Sequence, residues 1–141
     1  MSAPPTPRRV SVERTNDKRF TAVNERGGRV NFGQGDGDDF TPTELLLAAI
    51  GGCTAIDVDI LTSRRADPES FAVGVDANKI RDDDGNRLTG IVVTFRVRFP
   101  DGSDGDAARE VLPEAVQRSH DRICTVGRTV ELGTPITTRI E

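Results

Sequence analysis

Cys53 and Cys124 are the two cysteines of this chain, and they carry its most reactive side chains. A cysteine attacks peroxide only as thiolate, a state favoured by a nearby positive charge. The product is a sulfenic acid, which a second thiol converts to a disulfide. A redox reading therefore requires Cys53 and Cys124 within bonding reach and an arginine beside the attacking sulfur. The plainer alternative is that both are small buried hydrophobes. His120 precedes Cys124 by one helical turn and could serve as base or metal ligand, or as a packed or capping side chain. Two cysteines and one histidine would hold zinc only with a fourth ligand, which no motif supplies; no metal is expected.

The elements that must position these groups follow from pattern. "TPTELLLAAIGGCTAIDVDIL" (41–61) reads as a helix with Thr41 as N-cap, Pro42 at the first position and Glu44 at the third, a capping box. Its apolar residues cover nearly every face, so it is expected to be buried on several sides. Glycine costs about 1 kcal/mol relative to alanine within a helix. Gly51 and Gly52, side by side before Cys53, thus imply something packed close to the backbone. Glu44 and Cys53 lie on opposite faces of that helix, about 13.5 Å apart along its axis. Any service of Glu44 to the thiol would come across a subunit interface.

Upstream, "RRVSVER", "RFTAV" and "GRVNF" read as strands, the last two joined by the turn "NERGG". An exposed glycine- and aspartate-rich loop occupies 33–39. Downstream, "FAVGVDANKI" and "GIVVTFRVRF" form a long hairpin through "RDDDGN", with Ile91, Val93, Phe95, Val97 and Phe99 on one face. A second helix is expected from near Ala107, kinked or restarted at Pro113, with Cys124 at its end. "TVGRTVELG" is expected to make a short turn and "TPITTRI" a last strand.

At 141 residues, the chain is expected to be one domain with a flexible tail over residues 1–7. Its net charge of −4 disfavours nucleic acid and anionic membranes as partners. Thr54, Asp57 and Asp59 make the longest apolar run a poor membrane span. "MSAPPTPRRV" lacks the apolar stretch of a secretory signal, and a cytoplasmic location is expected, where both cysteines would rest as thiols.

"PTELLLAAIGGCTAIDV" together with "SHDRICTV" resembles the OsmC/Ohr family of peroxide-detoxifying proteins, in particular its OsmC-like (YhfA-type) branch. The resemblance covers nearly the whole chain. It implies an α+β fold, with antiparallel sheets around two central cysteine-bearing helices in an intertwined homodimer. It further implies reduction of organic hydroperoxides without a cofactor: Cys53 attacks, Cys124 resolves, and an external dithiol reduces the disulfide. By position, Arg19 matches the activating arginine, with Arg29 as fallback, and Glu44 the helping glutamate. The glycines before Cys53 would admit a neighbouring helix, beside an apolar pocket. Two positions depart from the peroxidase pattern: Thr43 stands where the glutamate would be, and "CTVGR" lacks the proline after the second cysteine. The same dimer and pocket could instead hold a small lipophilic ligand without turnover.

Overall fold

The structure, a computed structural model, describes residues 2–141. Its elements, in order, are β1 (Val10–Asn16), β2 (Arg19–Asn24), β3 (Arg29–Phe32), α1 (Pro42–Thr62), β4 (Ser70–Asp82), β5 (Gly85–Arg98), α2 (Ser103–Arg118), a π-helical turn (Ser119–Ile123) and α3 (Thr125–Glu131). The chain is α+β with antiparallel sheets, as expected, and falls into two compact units that divide at Leu46/Leu47.

In the N-terminal unit, β1, β2 and β3 form an antiparallel sheet in sequence order. The β2–β3 turn closes where "NERGG" placed it, with the Gly27 N–H donating to the Asn24 carbonyl at 3.1 Å. Phe20 and Phe32 stack across the strands, and the buried Thr21 hydroxyl donates to Asn31 at 2.6 Å. The 33–39 loop is tied at its base by the Gly33 N–H, which donates to the Phe40 carbonyl at 3.0 Å.

The start of α1 follows its sequence chemistry. The Thr41 hydroxyl accepts from the Glu44 N–H at 3.1 Å, while the Glu44 carboxylate accepts from the Thr41 N–H at 2.9 Å. Two backbone donors that a helix end leaves orphaned are thereby satisfied. Along α1 the buried side is a single stripe, Ile50, Thr54, Val58 and Thr62, with Gly51 beside it. The expected burial on several sides does not occur within the chain, for Ile56 is 63% and Ile60 55% exposed. In length and hydropathy α1 could cross a membrane, a test that core helices of soluble proteins also pass.

In the second unit, β4 and β5 pair antiparallel, Phe71 opposite Val97, Val73 opposite Phe95 and Val75 opposite Val93. Phe71 and Phe95 meet edge to face at 6.2 Å. Gly51 shows what the glycine pair does. A Cβ there would stand 2.6 Å from Val75 Cγ2 and 3.6 Å from Val73 Cγ1, so α1 lies against the apolar face of β4. The close neighbour of Gly51 within the chain is a strand. Gly52 meets nothing within 4 Å.

Three expectations are corrected here. Helix α2 begins at Ser103 rather than near Ala107 and continues past Pro113 without a fresh start there. Proline removes one amide donor but leaves the surrounding turns bonded, and buried Ala108 and Ala115 hold the helix on either side of it. "TVGRTVE" is a helical segment, α3, rather than a turn. "TPITTRI" forms no strand: Ile136 and Ile140 are 91% and 98% exposed, because β-forming residues need a partner strand to pair with.

The contrast between the two glycines is testable by urea denaturation at fixed protein concentration. Gly51→Val is expected to cost about 1–3 kcal/mol, because the stiff Val75 side chain must move to admit it. Gly52→Ala, with nothing of its own chain within 4 Å, is expected to be the milder change and to raise the stability of the single chain by up to about 1 kcal/mol.

Candidate active site

Helix α1 presents Cys53 and, one turn later, Asp57 on the same side, since residues four apart on a helix are neighbours. The second cysteine arrives from the end of α2. There the helix widens into the π-helical turn, which the Cys124 N–H closes by donating to the Ser119 carbonyl at 2.8 Å. Cys124 itself is extended (φ −69°, ψ 100°) and caps α3. Single π turns of this kind are frequent at functional sites.

A buried hydroxyl pair sets the two segments together. Thr54 Oγ1 and Ser119 Oγ lie 2.7 Å apart, and Ser119 Oγ is 2.9 Å from Asp57 Oδ2. A carboxylate has no proton to give, so Ser119 donates to Asp57 and Thr54 donates to Ser119. As a result Cys53 Sγ, Cys124 Sγ and an Asp57 oxygen all lie within 4.8 Å of one another. The two thiols are thus neighbours, as a redox reading requires.

They are not equivalent. Cys53 is half-buried and Cys124 only 3% exposed. Burial pushes the Cys124 thiol up from its ordinary value of 9.0, and the adjacent Cys53 and Asp57 add to the rise against a lowering hydrogen bond from the Gly127 N–H at 3.3 Å. Cys124 therefore rests as a neutral thiol at physiological pH.

Beside Cys124 opens a cavity of about 450 Å³, walled by Ile50, Ile91, Val93, Phe95, Val116 and Val130, with Thr54, Gln117, His120 and Glu131 among its polar groups. The hairpin face that sequence alternation identified supplies one wall.

His120 does not attend the thiols. Its Nδ1 meets Asp121 Oδ1 at 2.9 Å and its Nε2 meets Glu131 Oε1 at 2.8 Å. Both ring nitrogens facing carboxylates is an arrangement that the doubly protonated imidazolium satisfies. The bond to Asp121, then the charge of Glu131, raise its pKa above 6.5. In the N-terminal unit, Arg19 at the head of β2 forms an ion pair with Asp39 at 3.8 Å, Glu44 caps α1, and Arg29 opens β3. The residue that sequence reasoning missed is Asp57, noted only as an interruption of an apolar run. Its spacing of four from Cys53 inside a helix was the available signal.

Residues 35–139 match the OsmC-like protein family, and the chain belongs to it. An uncharacterised Mycobacterium tuberculosis protein is 32% identical over 126 residues, 89% of this chain and 90% of that one. Among solved structures, an OsmC-like protein of unknown function from Vibrio cholerae superposes with a TM-score of 0.72 at 15% identity, over 89% of this chain and 94% of that one. The organic hydroperoxide resistance protein OhrB of Bacillus subtilis gives 0.52 at 16% identity, over 88% and 90%. At such identities these two likenesses establish the fold alone.

The His120 clamp yields a pH dependence with a definite sign. A folded pKa above the unfolded one stabilises the protein fully below about 6.5, and the contribution fades as pH rises through the folded value. His120 is 60% exposed, so the contribution is that of a screened surface pair. Glu131→Gln should move the His120 titration, followed by NMR, back toward 6.5, and should narrow the stability gap between acidic and neutral pH.

Proposed function

We propose that this protein is a cytoplasmic, homodimeric thiol peroxidase that reduces organic hydroperoxides. The observation that carries the reading is the approach of Cys53 to within 4.8 Å of Cys124, which lines an apolar cavity. Family membership and a fold shared with a hydroperoxide resistance protein agree with it. Cys53, the more accessible sulfur, attacks the distal oxygen as thiolate. The O–O bond breaks, an S–O bond forms, and the alcohol departs after taking up a proton. Cys124, at rest a thiol, gives up its proton and attacks the sulfenic sulfur; an S–S bond forms, the S–O bond breaks, and the departing hydroxide takes up a proton as water. An external dithiol returns the disulfide to two thiols. Arg19, or Arg29, is assigned to stabilising the thiolate of Cys53. Glu44, whose carboxylate serves its own helix cap, would reach a thiol only across a dimer interface. The exposed Ile56 and Ile60 on α1 supply apolar surface for that dimer, in which each chain forms one domain. The cavity walls favour substrates with an apolar body over hydrogen peroxide, since burying that body is favourable.

A second reading is favoured by the cavity together with the changed surroundings of the family's glutamate and second cysteine: the same dimer binds a small lipophilic ligand without turnover. One experiment separates the two. Reduced protein receives one equivalent of cumene hydroperoxide, and its thiols are counted and mapped. Loss of both thiols into a Cys53–Cys124 disulfide is expected. Cys53→Ser should reduce turnover to background, and Cys124→Ser should permit one turnover and then stall or over-oxidise. Two unchanged thiols, or activity retained by Cys53→Ser, would overturn the peroxidase reading. A lipid seen by native mass spectrometry would then support the binding one.

A further inference from the structure

The geometry points to a second use of the thiol pair: Cys53, Asp57 and Cys124 form a binding site for a thiophilic divalent cation of the zinc class. This inference is independent of the peroxidase reading, since it concerns what the reduced protein holds.

The donor set selects the ion. Two sulfurs and one carboxylate oxygen suit a soft or borderline cation, whereas calcium and magnesium take oxygen ligands. Zinc bonds of about 2.3 Å to sulfur and about 2.0–2.2 Å to oxygen, at tetrahedral angles, place donors roughly 3.5–3.8 Å apart. Three donor atoms already within 4.8 Å of one another reach that spacing by small side-chain rotations. A disulfide demands more, for the sulfurs must close to about 2.05 Å.

The outer contacts are those that orient ligands. Ser119 donates to Asp57 Oδ2 and is itself braced by Thr54, which fixes the orientation of the carboxylate beside the sulfurs. The Gly127 N–H points at Cys124 Sγ. Contacts of this kind typically set metal affinity by about 10- to 100-fold. The charge of the ion agrees with that of the donors, since a thiolate and a carboxylate are both anionic ligands. A bound divalent cation holds coordinating thiols as thiolates. His120 is not the fourth ligand, with both ring nitrogens facing carboxylates. The fourth position is left to water, as in zinc sites with three protein ligands.

On binding, each cysteine loses its S–H proton to the buffer, two S–metal bonds and one O–metal bond form, and the aqua ion sheds water. No electrons move. The metal-bound and disulfide forms are therefore mutually exclusive states of one sulfur pair, and bound metal would shield the thiols from peroxide.

The test uses the full reduced protein, free of reductant, with Zn²⁺ measured against a chromophoric chelator and Cd²⁺ followed by its ultraviolet thiolate charge-transfer band. One ion per chain is expected, with a dissociation constant of roughly micromolar or tighter. Mg²⁺ should not compete. Asp57→Asn should weaken binding about tenfold or more, and the double serine variant of Cys53 and Cys124 should abolish the cadmium band. No cadmium band with wild-type protein, or undiminished affinity in Asp57→Asn, overturns the proposal. If Asp57→Asn fails to fold by circular dichroism, Ser119→Ala decides, since it keeps all three ligands: weaker binding supports the site and unchanged binding overturns it. Failure here is distinguishable from failure of the peroxidase reading. A protein that binds Zn²⁺ yet ignores hydroperoxide keeps this site and loses that reaction, and one that forms the disulfide without binding metal does the reverse.

Discussion

The buried hydroxyl contact between Thr54 and Ser119 is the constraint on which the site depends. It joins side chains 65 residues apart in sequence, at 2.7 Å, and passes its hydrogen bond on to Asp57. A neutral hydrogen bond contributes only about 1 kcal/mol net, but leaving one buried partner unsatisfied costs about 1–3 kcal/mol. Its larger effect is positional. Thr54 follows Cys53 directly, and Ser119 opens the turn that Cys124 closes, so fixing the hydroxyls fixes the separation of the sulfurs.

The remaining architecture of the second unit serves that contact. Gly51 lets α1 settle on Val75, which brings the helix's 50/54/58/62 stripe inward. Thr62 satisfies its own hydroxyl on the Val58 carbonyl, so the stripe ends without an unpaired polar group. The hairpin that supports α1 from one side also walls the cavity beside Cys124. One apolar hairpin face therefore both positions the thiol-bearing helix, through β4, and shapes the space in front of the buried sulfur, through β5.

Much of this was legible in the sequence. The capping box of Thr41 and Glu44, the "NERGG" turn and the alternation along β5 are local signals, and each appears where its chemistry placed it. Long-range matters were not legible. Nothing local distinguishes a helix buried on one stripe from one buried all round, so the exposure of Ile56 and Ile60 went unread. "TPITTRI" has strand composition, yet pairing depends on a partner that composition does not reveal. Asp57 looked like a polar flaw in an apolar helix, because its meaning lies in a serine on another element. His120 was read against Cys124, four residues away, when its second partner was Glu131 on a segment not expected to be helical.

The π-helical turn gives the second sulfur a dependence on counting rather than on composition. Between Ser119 and Cys124 the chain closes a ring one residue wider than that of an α-helix. Removing any one of the intervening residues would restore ordinary helical phase and swing whatever follows by about 100° about the axis. Every side chain named in the site could then remain in the sequence while the sulfurs faced different directions. In this chain, the number of residues from that serine to that cysteine matters to the chemistry as much as the presence of the cysteine itself.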